Sequence, residues 1–153
     1  MGTEEYFYEV DLAREPGGEV RISAHGLQPI YVVDAIKPPK ERKTVWTAEH
    51  LLAASVSNSF MTIFLDLCEK TRVNILSYQS QCFVKLEKQK DKFVTTELLV
   101  RPTIKLADHR SMLKAYKYIE EAESLCPVRD VLKIPVEVHP QFEYLDKGSK
   151  VKA

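Results

Sequence analysis

The feature that most constrains this chain is a long run of apolar and small residues in its first half. From Leu51 to Leu65 the sequence carries no formal charge, and charge returns only at Asp66. Thr47 is a favourable helix N-cap, and Glu49 lies near the positive end of the helix dipole. We therefore predict a helix that begins after Thr47 and runs to about Lys70. A helix that is apolar on nearly all sides is buried on most of them, so other elements have to cover it.

Short strand and turn signals precede this helix. Turns are indicated at Pro16-Gly17-Gly18 and at His25-Gly26, and aromatic or alternating segments flank them. The short links favour a three-stranded antiparallel meander. A polar, Pro-containing loop is predicted for residues 37–46. The predicted strands cover residues 6–12, 20–23 and 30–33.

After the helix, two long alternating segments at 73–88 and 93–106 flank a tight polar link, which predicts a long hairpin. Asp108 is placed to cap a second helix that ends near Ser124. Pro127 then opens a short helix, and residues 134–138 form a last strand at a sheet edge. This order predicts an α+β fold. We expect one domain over residues 1–153, with a core of about 6–140 and a frayed tail at 147–153.

The charge balance limits the partners to be expected. Lys plus Arg and Asp plus Glu number 22 each, so no net field attracts nucleic acid or an anionic membrane. The basic run at 37–43 is interrupted by Pro38, Pro39 and Glu41 and is interpreted as a solvated loop. There is no signal-peptide pattern at the start, and no uninterrupted apolar stretch reaches the length of about 18 residues that a membrane span requires. We expect a cytoplasmic protein.

The cysteines and histidines argue against a disulfide framework and against a metal site. There are three cysteines, an odd number without a secretion signal, and the four histidines are scattered. No CxxC pair or other ligand spacing indicates zinc. We therefore expect free thiols, no metal and no cofactor.

Two motifs carry a resemblance to a known family. The segment Ala48–Met61 reads Ala-Glu-His-Leu-Leu-Ala-Ala-Ser-Val-Ser-Asn-Ser-Phe-Met, and Cys126-Pro127-Val128 follows much later. Together they resemble the OsmC/organic hydroperoxide resistance family, whose central helix usually reads Pro-Glu-x-Leu, two small residues, then a cysteine and an aromatic. The resemblance covers roughly residues 6–140. It implies antiparallel strands wrapped around a long central helix in an intertwined homodimer, and a helix with so little polar surface also favours cover by a second subunit.

The resemblance also implies thiol chemistry. In the family a thiolate attacks a hydroperoxide and becomes a sulfenic acid, a second cysteine condenses with it, and an external dithiol reduces the disulfide. Cys126 matches the second cysteine, Phe60 the aromatic and Glu49 the glutamate, with Ala48 in place of the proline. Ser59 stands at the attacking-cysteine position. Because a hydroxyl oxygen cannot form a sulfenic acid, the two-cysteine cycle is not expected here.

The family activates its thiol with an arginine that a glutamate holds. Its usual Gly-Gly-Arg is replaced here by Gly17-Gly18-Glu19, and Arg14 and Arg21 flank that site. Either arginine is a candidate. The candidate catalytic residues are Cys126, Ser59 and Glu49. The candidate ligand-pocket residues are Trp46, Phe60, Arg14 and Arg21.

Ser59 has a simpler interpretation than catalysis. A small buried helix residue can bond its hydroxyl to the carbonyl four residues earlier, here that of Ser55. A nucleophilic serine needs a general base, and Glu49, roughly three turns earlier, does not face it within the helix.

Cys126 is the thiol with a physical argument for reactivity. As the residue before Pro127 it would lie near exposed backbone N–H groups, which stabilise a thiolate, and Arg129 would add positive charge. The alternative is an inert buried cysteine. Cys68 and Cys82 are expected to be structural.

Three functions stay open from the sequence. The first is a family member without the two-cysteine cycle that binds a small, largely apolar ligand at the dimer interface. The second is a single-cysteine peroxidase that uses Cys126, with an external thiol and a role in oxidative stress. The third is a structural homodimer without a ligand.

Overall fold

The computed structural model describes residues 2–16, 19–32 and 46–145. Contacts within the chain divide it into two units, residues 1–51 and 52–153. The single domain over residues 1–153 stays a prediction, and the tail at 147–153 lies outside the described residues.

The first unit contains an antiparallel sheet of β1 (Asp11–Arg14), β2 (Val20–Ser23) and β3 (Ile30–Val32) in the order β1-β2-β3. This confirms the predicted meander. The turn before β3 includes Gly26 at φ 74, a conformation that glycine adopts without a steric cost. The predicted loop at 37–45 and the turn glycines at 17–18 lie outside the described residues.

The first strand begins later than the sequence indicates. Residues 6–10 are aromatic and β-branched but belong to no strand, and β1 starts at Asp11. The reason is the length of its partner: β2 has four residues, and they pair with Asp11 through Arg14. Strand propensity alone does not make a strand, and none of the described strands pairs with residues 6–10.

The long helix α1 spans Ala48–Lys70 and confirms the predicted boundaries. Thr47 caps it, since the backbone N–H of His50 donates to the Thr47 hydroxyl at 3.4 Å. In return, the Thr47 N–H donates to Nδ1 of His50 at 3.2 Å. This reciprocal pair is a capping box with histidine in place of the usual glutamate. It requires an unprotonated Nδ1, so the capping form of His50 is neutral with its proton on Nε2.

Removing the cap is expected to weaken the fold modestly. Thr47→Ala should lower the free energy of unfolding by about 1 kcal/mol, because the His50 N–H loses its acceptor. Thr47→Ser is the matched control, since it keeps the hydroxyl. Urea unfolding of the three proteins checks this, and equal midpoints for the alanine and serine variants would contradict it.

The second unit is built on a long hairpin of β4 (Ile75–Gln89) and β5 (Lys92–Leu106), as predicted. Two short strands, β6 (Val136–Val138) and β7 (Gln141–Tyr144), pair parallel to β5. The last strand is shorter than predicted because Pro135 has no N–H to donate, although its carbonyl accepts from Leu98 at 3.0 Å. The sequence interpretation missed β7.

Two further helices complete this unit. Asp108 accepts from the Ser111 N–H at 3.0 Å and caps a 3₁₀ turn, which leads into α2 (Met112–Leu125). A single extended residue, Cys126, then separates α2 from the one-turn helix α3 (Pro127–Asp130). The cap and the short helix after Cys126 were both predicted.

The core of the second unit lies between α1 and the sheet. Buried residues recur every fourth position along α1, at Val56, Phe60, Phe64 and Cys68. They join two hydrophobic clusters with residues of β5, β6, α2 and the turn after α1. The residues that these other elements contribute to the clusters are Val73, Leu98, Val100, Ile104, Leu106, Ala115, Ile119, Ala122 and Val136.

One side of α1 is not covered. Ala54, Ser55, Asn58 and Thr62 are exposed on that side. By length and composition α1 could cross a membrane, with only 22% of its most apolar window buried. The core helix of a soluble protein passes the same test, so this property alone does not indicate a membrane span.

Candidate functional site

The structure brings Ser59 and Cys126 into contact. Cys126 Sγ donates a hydrogen bond to Ser59 Oγ over 3.3 Å, although 67 positions separate the two residues. Ser59 comes from the middle of α1, and Cys126 from the junction of α2 and α3. The Ser59 side chain thus bonds to Cys126, whereas the sequence predicted a bond to the Ser55 carbonyl.

The thiol of this pair is buried and the hydroxyl is partly accessible. Cys126 is 1% exposed, and Ser59 is half-buried. A thiol that donates a hydrogen bond is in its neutral form, and the hydroxyl that accepts it keeps its own O–H to donate elsewhere. The Ser59 hydroxyl is therefore the group of this pair that still has a proton to donate.

The environment of Cys126 differs from the expected one. Pro127 does open α3, with Cys126 in the extended cap position, but the Cys126 side chain makes no cap hydrogen bond to that helix. α3 has only four residues. The Cys126 sulfur is directed to Ser59 instead. The structure therefore shows no hydrogen bond from the backbone of α3 that would stabilise a Cys126 thiolate.

Arg129 is directed to Glu123. Its Nη1 donates to the Glu123 carbonyl oxygen at 3.0 Å, and its Nη2 lies 3.6 Å from the Glu123 carboxylate. Burial raises the pKa of Glu123, and the nearby Arg129 charge opposes that rise. The sequence interpretation had not identified Glu123. The signal was the opposite charges three residues on either side of Cys126.

Phe60 is a core residue in this unit. It is 2% exposed and stacks on Phe64 with ring centroids 6.2 Å apart. A role for Phe60 in lining a ligand pocket stays a prediction. Its aromatic ring instead fixes the face of α1 that meets the sheet.

The other candidates belong to the first unit. Arg21 pairs with Glu15, Nε to Oε1, at 3.0 Å, and Arg14 lies on the exposed strand β1. Trp46 is 52% exposed, with its ring edge-on to His50, and Glu49 lies in the first turn of α1. A role for these residues beside Ser59 stays a prediction.

The remaining cysteines are free thiols in apolar surroundings. Cys68 is fully buried in the core, and burial raises its pKa to about 11. Burial also raises the pKa of the half-buried Cys82. Both thiols are held in their neutral forms, which fits structural roles.

Alkaline pH is expected to destabilise the fold through Cys68. Its pKa in the folded protein, about 11, lies above the ordinary value of 9.0, so the stabilisation is complete below pH 9 and is lost as pH rises through 11. The loss should reach about 2 to 3 kcal/mol. Urea unfolding below pH 9 and at pH 11 measures it.

Cys68→Ala is the comparison protein for that measurement. It has no Cys68 thiol to ionise, so its stability should fall less over the same range. The remaining loss is assigned to Cys82 and to Tyr78, since burial raises the pKa of both groups, that of Tyr78 to about 12. Equal losses in both proteins would contradict the role of Cys68.

Comparison with known proteins identifies the family. The model of OsmC-like proteins matches residues 42–140. The chain belongs to the OsmC-like family. No curated protein sequence matches the chain.

Solved OsmC-like structures confirm the fold. An OsmC-like protein of unknown function from Vibrio cholerae is 17% identical, with a TM-score of 0.73 over 90% of this chain and 99% of that one. An OsmC-like protein from Mycoplasma pneumoniae has a TM-score of 0.74 at 10% identity, covering 92% and 99%. An organic hydroperoxide resistance protein from Elizabethkingia anophelis has a TM-score of 0.68 at 16% identity, covering 93% and 100%. The predicted α+β, OsmC-like fold is thus confirmed.

Proposed function

We propose that this OsmC-like protein carries a hydroxyl–thiol pair, Ser59 and Cys126, in place of a redox-active cysteine pair, and that it lacks the two-cysteine peroxidase cycle. The observation that supports this is the 3.3 Å hydrogen bond between the two side chains. Two cysteines can form a disulfide only if their side chains come into contact, and the side chains at these two positions are in contact. This contact supports the assignment of Ser59 to the position of the attacking cysteine.

The two-cysteine peroxidase cycle cannot begin, because its first step is the attack of a thiolate on the hydroperoxide. Reduction of a hydroperoxide requires a thiolate that takes the terminal oxygen and becomes a sulfenic acid, while the alkoxide leaves and is protonated to an alcohol. The Ser59 oxygen cannot accept that oxygen atom. Cys126 is buried, with its proton bonded to Ser59, so in this arrangement it is not presented to a peroxide.

We further propose that the pair binds a small, largely apolar ligand that carries one hydroxyl or hydroperoxy group. The Ser59 O–H is the group left to donate to such an oxygen. The uncovered side of α1 carries small, uncharged residues, and this supports a homodimer whose interface encloses the ligand. We place this dimer in the cytoplasm and expect it to bind neither nucleic acid nor membranes.

The absence of peroxidase turnover is the first test. With cumene hydroperoxide or tert-butyl hydroperoxide and either dithiothreitol or a lipoylated protein as reductant, the protein should show no saturable consumption of peroxide. Robust, saturable turnover would contradict the proposal.

Ligand binding is tested separately with 2-phenyl-2-propanol, the alcohol that corresponds to cumene hydroperoxide. We expect it to raise the melting temperature of the parent protein and to do so less in Ser59→Ala. A dimer whose melting temperature does not respond to the alcohol would favour the structural dimer without a ligand.

A second candidate is a single-cysteine peroxidase that uses Cys126. It is favoured by the Ser59 hydroxyl, which is close enough to donate a hydrogen bond to a Cys126 thiolate. An external dithiol would then reduce the Cys126 sulfenic acid to the thiol and water, and would itself become a disulfide. Mass spectrometry after peroxide treatment should show Cys126 sulfenylated before Cys68 and Cys82. Equal or absent labelling would count against it.

A further inference from the structure

The direction of the Cys126 side chain depends on one residue of extended backbone. Cys126 has φ −75 and ψ 105 between two helices, so the hydrogen-bond ladder of α2 does not continue through it. α3 supplies one bond at this point, from the Asp130 N–H to the Cys126 carbonyl at 3.3 Å. A small change in these torsions would turn the sulfur away from Ser59.

A pair of opposite charges spans this junction. Glu123 lies in the last turn of α2 and Arg129 in α3, each three positions from Cys126. The two terminal nitrogens of the Arg129 guanidinium contact different parts of Glu123. Nη1 donates to the backbone carbonyl at 3.0 Å, and Nη2 lies 3.6 Å from the carboxylate. The contact therefore ties the backbone of α2, and not only a side chain, to α3.

We propose that Arg129 is a positioning residue and that, with Glu123, it forms a clamp across Cys126 that holds the thiol on Ser59. The clamp deepens the proposed function, because it rests on the Ser59–Cys126 pair being the site. It joins the residues on the two sides of Cys126, and it satisfies a carbonyl in the last turn of α2 that the helix itself leaves without a partner.

The Arg129 and Glu123 side chains are partly shielded from solvent, so loss of their contact should have a measurable effect on the junction. The side chains of Arg129 and Glu123 are 37% and 22% exposed, so solvent screens them less than a surface pair. Burial raises the pKa of the Glu123 carboxyl, and Arg129 is the first of the groups that oppose this. A partly buried carboxylate that loses its cation is left uncompensated, which favours opening of the junction.

Native-state alkylation tests the clamp without any ligand or peroxide. The full-length protein is treated with iodoacetamide, and the rates at Cys126, Cys82 and Cys68 are followed by peptide mass spectrometry. Arg129→Gln should speed alkylation of Cys126 by roughly tenfold or more, the factor that corresponds to loss of a charged hydrogen bond. Alkylation of the fully buried Cys68 should stay unchanged, since it reports opening of the whole core.

Three variants complete the design. Arg110→Gln removes an exposed arginine, in the 3₁₀ turn before α2, and should leave all three rates at the parent values. Arg129→Lys should give an intermediate rate at Cys126, because an ammonium lacks the planar fork that reaches two acceptors at once. Glu123→Gln keeps the backbone carbonyl, should also speed Cys126 alkylation, and replaces Arg129→Gln if that variant does not fold.

The outcomes are separable. Parallel acceleration at Cys68 and Cys126 would mean a loss of global stability and would overturn the clamp. Slower alkylation of Cys126 in Arg129→Gln would mean that Arg129 acts only as a charge that favours the thiolate, and would overturn it as well. Peroxidase activity in the parent would overturn the proposed function while leaving the alkylation result as evidence for the clamp.

Discussion

Ser59→Cys is expected to give this protein a hydroperoxide reductase activity that the parent lacks. The introduced thiol would lie beside Cys126, where the present oxygen is 3.3 Å from the sulfur. Its thiolate would take the terminal oxygen of the peroxide and release an alcohol, and the Cys126 thiol would then displace water to close a disulfide. An added dithiol would reduce this disulfide and regenerate both thiols. We expect turnover on the order of 10²-fold or more above the parent, the lower end of what one positioned reacting group contributes.

The same substitution should stabilise the oxidised protein. Closing a disulfide requires the two sulfur atoms to approach to about 2.05 Å, which from 3.3 Å is a shift of roughly 1 Å. A loop of 67 residues closed in this way restricts the unfolded chain by about 4 kcal/mol. The reduced form should have nearly the stability of the parent.

Two measurements check this prediction. Peroxide consumption with dithiothreitol gives the turnover, and urea unfolding with and without reductant gives the stabilisation. Ser59→Ala is the matched control for both, since it changes the same position without adding a thiol. A combined Ser59→Cys and Cys126→Ser variant should form no disulfide. If Ser59→Cys forms no disulfide with Cys126 under peroxide, then Ser59 does not occupy the attacking position.

The elements predicted most accurately are those whose signals are long and local. α1 combines a cap, an uncharged apolar stretch and returning charges, and its predicted end at Lys70 is the observed one. The β4–β5 hairpin has two long strands and one tight link, so its strand boundaries were close to the observed ones. In both cases many residues indicate the same secondary structure and the same boundaries.

Short strands depend on partners that local sequence does not reveal. β7 has four alternating residues, and it exists because β5 offers Thr103 through Leu106 as a parallel partner. Residues 6–10 have stronger strand character than β7, yet they pair with no strand in the part of the chain that the structure describes. Pairing decided both outcomes, and pairing is a property of the tertiary structure.

The sequence predicted which residues form the candidate site, but it did not predict the hydrogen bonds between them. The motifs on α1 and at the Cys-Pro turn indicated Ser59 and Cys126, and the structure places them in contact. The expected bond from the Ser59 hydroxyl to the Ser55 carbonyl was a local one, whereas the observed bond is one that Ser59 accepts from Cys126, 67 positions away. Arg129 was expected to assist the thiol, but a carboxylate and a carbonyl three residues before Cys126 hold it.

Phe64→Ala should cause one of the largest losses of stability that a single substitution can cause in this protein. Phe64 is fully buried, with Phe60 stacked at 6.2 Å on one side and Tyr78 at 6.1 Å on the other. Removing the ring leaves a cavity between α1 and the sheet that two aromatic neighbours are too rigid to fill. The expected cost is about 4 kcal/mol, which is most of the stability of a marginal domain.

The cavity should also be visible in the titration of Tyr78. Its hydroxyl is buried, and burial raises its pKa to about 12, while Ser80 opposes that rise. Water that enters beside Tyr78 in the variant would stabilise the phenolate, so the pKa should fall toward the ordinary value of 10.0. The absorbance of tyrosinate follows this titration, and urea unfolding gives the stability.

Matched substitutions make the test of Phe64 specific. Leu113→Ala removes an apolar side chain that is 83% exposed, and should change the stability by no more than about 0.5 kcal/mol. Phe64→Leu keeps most of the volume, should remain folded, and should show the same two effects at smaller size. If Phe64→Ala lost no more stability than Leu113→Ala, the ring would not be a core contact, and α1 would be held against the sheet by other residues.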